Sequence, residues 1–144
     1  MIKEFQGEYR WLSNFWPCAI TYDGEIYPSA EHFYVAMKTL DTFDRNIIRN
    51  THSAGQVKRL GRNLTIRLDW EDIKLKVMTY AVAKKFSDDN AELRDKLIST
   101  GDIYLQEGNM WGDKFWGVCL KTNKGENNLG KILMARREYL RGKL

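Results

Sequence analysis

The sequence predicts a mainly helical fold with a small antiparallel sheet, in a single domain over residues 1–144. Three observations carry this. Apolar residues recur at three- to four-residue spacing behind good helix-starting residues. An Asp-Gly pair sits between β-forming residues near the N-terminus. No internal repeat, linker or low-complexity run divides the 144 residues, a length that suits one core.

The hairpin comes first, over Thr21-Tyr22-Asp23-Gly24-Glu25-Ile26-Tyr27. Ser29 is placed to cap the next helix by accepting from an orphan N–H of its first turn, and Pro28 pins the entry. Glu31 then lies where the helix dipole favours a carboxylate. Phe33, Val35, Ala36 and Met37 bury this helix, which is expected to end near Thr39. Asp41 caps a second helix through Ile47, Ile48 and Arg49. Ser53 and Gln56 have capping-box spacing, and Gly61 is expected to end that third helix in the left-handed conformation. Asp69 precedes a long helix from Trp70 towards Phe86, with Trp70, Ile73, Val77 and Ala81 on one face. Asn90 starts another helix with Leu93 and Leu97, and Gly101 stops it. Residues 103–106 and 115–120 read as strands that complete the sheet from the C-terminal half. Asn127 or Asn128 caps a last helix carrying Leu129, Ile132, Leu133 and Leu140.

The bulk numbers exclude more than they assign. Hydrophobic content is 43% and charged content 29%, ordinary for a globular chain. No apolar run approaches membrane-spanning length. The start lacks an apolar signal core, so a cytoplasmic location is expected. Cys18 and Cys119 make neither a zinc set nor a disulfide framework. Net charge is +4, with the basic residues dispersed. That permits phosphate or nucleic acid without demanding either. No glycine-rich phosphate loop, metal-ligand cluster or nucleophile triad is present, so no metal or cofactor is expected.

Two stretches could carry chemistry. In the capped helix, Glu31 and Lys38 are seven residues apart. They return to nearly one face with a drift of roughly 20°, and lie about 10 Å apart along the axis. That separation suits a carboxylate and an amine flanking a sugar-sized ligand, or a solvated salt-bridge face. The second stretch packs Glu107, Asn109 and Asp113 among Trp111-Gly112 and Trp116-Gly117. A carboxylate beside aromatic walls is a common way to shift its pKa and hold a ring. The same carboxylates could equally cap turns while the tryptophans fill the core. Trp11, Phe15 and Trp16, interleaved with Ser13 and Asn14, are open to the same two readings. His32 is a single histidine beside Glu31, where packing is the usual role.

Four blocks together resemble the NADAR family. They are Trp11-Leu12-Ser13-Asn14-Phe15; Ser29-Ala30-Glu31-His32-Phe33 with Ala36-Met37-Lys38; Glu107-Gly108-Asn109 with Trp111-Gly112-Asp113 and Trp116-Gly117; and Gly125-Glu126-Asn127 with Leu129-Gly130-Lys131-Ile132-Leu133-Met134. They run in family order over nearly the whole chain. Val35 stands where the family often has Gln, so a polar contact from that position is absent. The resemblance implies a mostly helical enzyme that cleaves N-glycosidic bonds of ribose without a metal. Its implied substrates are ADP-ribosylated guanine, in nucleic acid or free, and phosphorylated ribosylamino-pyrimidines of riboflavin synthesis. It implies Lys38 as an imine-forming amine, with Glu31 and Asp113 as acid–base groups sharing one cavity with it. Trp11, Ser13, Asn14, Phe15 and His32 would contact substrate from the N-terminal blocks. Glu107, Asn109, Trp111, Trp116, Gly117 and Asn127 would do so from the C-terminal ones. An ADP-ribose-binding module without turnover is the alternative.

Overall fold

A computed structural model describes residues 1–144. The chain forms two compact units: residues 14–85, and residues 1–13 with 86–144.

In the 14–85 unit, strand β1 (Pro17–Tyr22) pairs antiparallel with β2 (Glu25–Ser29). The turn between them is Asp23-Gly24, with φ of 50° and 78°, as the Asp-Gly signal requires. Helix α1 (Ala30–Ala36) follows at once, and its N-cap Ser29 accepts from the His32 N–H at 3.1 Å. Helix α2 (Thr42–Arg49) is capped by Asp41, and α3 (Ala54–Gly61) carries the full Ser53/Gln56 capping box. Helix α4 (Trp70–Lys85) closes the unit. Helix α1 is central, packed against β1, β2, α2, α3 and α4. Its residues from His32 to Met37 are all buried.

Two sequence expectations change here. Gly61 stays helical, and Arg62 follows in the right-handed conformation. A Cβ on Gly61 would lie 3.1 Å from Val35 Cγ1, so the glycine serves close approach of α3 to α1. Helix α1 ends at Ala36, short of Thr39. Asp69 precedes α4 as expected, and its carboxylate grips Arg67 at 2.6 and 3.0 Å. That ion pair holds the entry to α4, where the Asp72 N–H donates to the Asp69 carbonyl.

The other unit begins with a 3-10 helix over Gly7–Leu12 and resumes with a 3-10 turn at Asp88–Asn90. Helix α5 (Ala91–Ser99) is followed by its C-cap Thr100 and then by Gly101, whose φ is +65°. Helix α6 (Asn128–Arg141) buries Leu129, Leu133 and Leu140. Between them the expected strands shrink to β3 (Gly108–Asn109) and β4 (Val118–Cys119), which pair parallel. Residues 103–106 contribute a single bridge, Ile2 to Leu105. The reason lies in the polar groups: side-chain amides and a carboxylate take many backbone partners that a hairpin ladder would use. The mainly helical class stands, with one regular antiparallel sheet. No helix is long and apolar enough to cross a membrane.

Candidate functional site

In the 14–85 unit, Lys38 lies just beyond α1, where its N–H donates to the Val35 carbonyl. Its carbonyl accepts from the Arg67 N–H at 2.7 Å, which fixes the turn. The side chain is half-buried, with Nζ 5.3 Å from the centroid of the Tyr34 ring. Tyr34 in turn meets Trp70 edge-on at 5.1 Å. Burial pushes the Lys38 amine below its ordinary pKa; the Glu31 carboxylate works against that shift, and the Lys58 and Lys74 ammonium groups reinforce it. Glu31 therefore acts electrostatically on Lys38, although Lys38 has left the helix on which the two were expected to share a face.

The start of α1 is tied down from two sides. The Glu31 N–H donates to the Asn14 carbonyl at 3.0 Å, and Asn14 Nδ2 contacts Met78 Sδ at 3.5 Å. Phe15 is exposed. His32 is buried, with Nδ1 2.7 Å from Ser29 Oγ and Nε2 2.9 Å from the Thr51 carbonyl. A carbonyl only accepts, so Nε2 carries the hydrogen; in the neutral ring Nδ1 then accepts from the Ser29 hydroxyl. Both ring nitrogens are thus engaged in bracing α1 against the turn after α2.

The second constellation lies in the other unit and is built on two buried amides. Asn109 Nδ2 donates to Glu107 Oε2 (3.1 Å) and to the Asp113 carbonyl (2.9 Å), while its Oδ1 accepts from the Asp113 N–H. Asn127 Oδ1 accepts from the Glu107 N–H (2.9 Å), and its Nδ2 donates to the Leu105 carbonyl (2.9 Å) and the Tyr104 hydroxyl (3.2 Å). Asn127 itself has φ 54° and makes no side-chain cap to α6. Asp113 Oδ1 accepts from the Phe115 and Trp116 N–H groups at 3.1 and 3.0 Å. Gly117 is obligatory: a Cβ there would collide with the Glu107 carbonyl and carboxylate. Trp116 is half-buried against Phe115, and Trp111 is 60% exposed. Trp11 lies in the core, edge-on to Phe86 at 6.2 Å, and the Ser13 N–H closes the preceding turn onto the Arg10 carbonyl.

The structure thus gathers Asn14, Phe15, Glu31, His32 and Lys38 in one unit, and Trp11, Ser13, Glu107, Asn109, Trp111, Asp113, Trp116, Gly117 and Asn127 in the other. No group of three or more His, Cys, Asp and Glu side chains is disposed to hold a metal ion. An open groove of about 530 Å³, lined by Thr51, His52, Gln56, Arg59, Leu60 and Asn63, runs along α3.

One chemically notable residue escaped the sequence reading. Lys85 is 1% exposed, and burial pushes its amine down to about 8, with the Cys18 thiol pulling weakly the other way. The available signal was helical phase: Met78, Ala81, Val82 and Lys85 share the buried stripe of α4.

The NADAR domain model matches residues 2–141. An N-glycosidase of Nostoc punctiforme is 39% identical over 141 residues, covering 94% of this chain and 88% of the relative. The N-glycosidase YbiA of Escherichia coli K12 is 38% identical over 135 residues, covering 92% and 82%. A riboflavin biosynthesis protein of Vibrio vulnificus is 40% identical over 131 residues, but the chain spans only 35% of its length. Among solved structures, the NMR structure of E. coli YbiA superposes with a TM-score of 0.85 at 34% identity, covering 99% of this chain and 88% of that one.

Proposed function

Because the chain belongs to the NADAR domain family and is an enzyme of the N-glycosidase kind, we propose that it hydrolyses the bond between ribose C1 and an amine nitrogen, with Lys38 as the amine that captures C1. The observation that carries this is the state of Lys38: half-buried, over the Tyr34 ring, pushed below the ordinary lysine range and within the field of Glu31. A lysine nucleophile has to be partly neutral, and desolvation with cationic neighbours is how proteins achieve that.

The step balances as follows. The neutral Nζ attacks C1 of the opened ribosylamine, the C1–N bond to the base breaks, and the departing amine takes a proton. The C1–Nζ imine then adds water, which returns the lysine and frees the sugar aldehyde. Positive charge develops at C1 throughout, and a carboxylate near it lowers that barrier. Glu31 is assigned that role and the proton transfers.

The proposed substrates are phosphorylated ribosylamino-pyrimidines, as the riboflavin-synthesis name of the Vibrio relative suggests, and ADP-ribosylated guanine in nucleic acid. The test is incubation with each, scored by chromatography of the released base. Borohydride added during turnover should leave a ribosyl mass on Lys38. Lys38→Arg keeps the charge but cannot form an imine, so it should lose about a hundredfold or more in turnover while still binding ribose phosphates. Full activity in that variant would remove the covalent mechanism. Ligand binding without base release by the wild type would replace the enzyme with a binding module.

A further inference from the structure

One residue of the C-terminal constellation, Glu107, is held by backbone and side chain alike. Its N–H donates to Asn127 Oδ1 and its carbonyl accepts from the Val118 N–H, both at 2.9 Å. Its side chain is held by Asn109, whose Nδ2 donates to Glu107 Oε2 at 3.1 Å. That donor and that oxygen both lie against Gly117, where a Cβ would collide with each. The flip of the Asn109 amide is dictated by the backbone. Its Oδ1 has to face the Asp113 N–H, 2.9 Å away, because an NH2 group there would meet a second donor. The NH2 group is thereby turned towards Glu107 Oε2 and the Asp113 carbonyl. Asn109 is 2% exposed, with both amide hydrogens and its oxygen engaged inside the protein. An amide so engaged acts on a substrate only through its neighbours. Glu107 is half-buried, with surface left for a ligand. Freezing a glutamate side chain costs conformational entropy, which a solvated surface carboxylate does not give up.

We infer that Asn109 is a positioning residue: its amide fixes the Glu107 carboxylate as a hydrogen-bond acceptor for N–H groups of the base that leaves ribose. This rests on the N-glycosidase reading given above and adds to it a group that recognises the leaving base. An ionised carboxylate only accepts, and its hydrogen bonds are stronger than those of a neutral acceptor. The Asn109 donor favours that ionised form. A base presenting N–H donors is therefore held, and one presenting lone pairs or a methyl group at the same place is refused. Guanine carries such a donor on its exocyclic nitrogen, as does an aminopyrimidine. The exposed Trp111 ring and the half-buried Trp116 ring belong to the same 107–117 segment, and aromatic faces suit a planar base.

The test measures kcat and KM for base release, with urea midpoints, in wild type, Glu107→Gln, Asn109→Asp and the Asn109→Asp/Glu107→Gln double variant. Glu107→Gln keeps the shape and still accepts from Asn109, so its midpoint should stay near that of wild type. Its kcat/KM should fall by about tenfold to a hundredfold, mainly through KM, in line with the loss of one hydrogen bond to a charged group. A merely destabilised enzyme would lose kcat with KM unchanged. Asn109→Asp sets a second carboxylate against Glu107 and should lower both the midpoint and kcat/KM. The double variant exchanges donor and acceptor, which restores the hydrogen bond with its polarity reversed. Its midpoint should recover towards that of Glu107→Gln, while kcat/KM stays as low as in Glu107→Gln, because Asn109 acts through the carboxylate. Activity that recovers with the midpoint would make the pair a structural tie and overturn the role. So would full activity in Glu107→Gln, or losses that multiply in the double variant. If Asn109→Asp fails to fold, Glu107→Gln and the double variant still decide. A substrate methylated at a base N–H should be about tenfold poorer for wild type and no poorer for Glu107→Gln; an equal penalty in both overturns base recognition. Where wild type releases no base at all, the glycosidase reading is what fails. Calorimetric titration with guanosine then decides the Glu107 role: weaker binding by Glu107→Gln supports it, and equal or absent binding overturns it.

Discussion

Replacing Lys85 by Met should change how stability responds to alkali. Lys85 is 1% exposed and its amine is pushed from 10.5 to about 8 by burial. Between those values the unfolded chain binds a proton that the folded chain has released, so stability rises with pH across that window. The gain is negligible at pH 7. It reaches about 1 kcal/mol by pH 9 and about 2–3 kcal/mol by pH 10, at about 1.4 kcal/mol per pKa unit. Cys18 opposes this at the top of the range. Burial raises its thiol above 9.0, so its contribution is present below that value and is lost as pH rises further. The clean interval is therefore pH 7 to 9, and a Cys18→Ala background extends it to 10. Met keeps the length of the stem and removes the titration. Urea unfolding of wild type and Lys85→Met at half-unit steps measures the gap in stability, whatever its value at pH 7. The gap should move in favour of wild type by the amounts given. Two curves that run parallel from pH 7 to 10 would show that Lys85 is not a depressed amine in the folded state.

Two further outcomes test the C-terminal constellation. Gly117→Ala puts a methyl group into the Glu107 carbonyl and the Asn109 amide. It should cost about 3 kcal/mol or more, read as a lower urea midpoint, because backbone cannot yield as a side chain does. Trp111→Ala removes a ring that is 60% exposed. Its thermal midpoint should stay within about 2 °C of wild type, while affinity for ribose phosphates measured by calorimetry falls if the ring covers substrate. A collapsed midpoint with normal binding would make Trp111 structural.

What the sequence disclosed follows the range of the forces. Ser29, Asp41 and the Ser53/Gln56 box cap helices as read, because each bonds a backbone N–H within three residues. Asp23-Gly24 turns the chain because both residues tolerate positive φ. The failures are the positions whose partner is distant or unexpected. Asn127 looks like a helix cap, but its amide bonds Glu107 and Leu105, about twenty residues away. Gly61 looks like a helix terminator, yet the deciding contact is with Val35 on another helix. Residues 103–120 have strand composition, yet Asn109, Asp113 and Asn127 take the backbone groups a ladder would need.

The two depressed amines of the 14–85 unit show why burial alone does not make a nucleophile. Lys85 has the stronger shift, yet at 1% exposure nothing the size of a sugar can reach it without displacing the core. Its stem continues the stripe of Met78, Ala81 and Val82, and its charge is a cost the fold carries. Lys38 has burial enough to lower its pKa and exposure enough to meet a substrate, because α1 ends at Ala36 and leaves it on a turn rather than inside the helix. Glu31 favours its protonated form while Lys58 and Lys74 disfavour it. Of the two amines, Lys38 is therefore the one placed to meet a substrate, with a carboxylate acting on it.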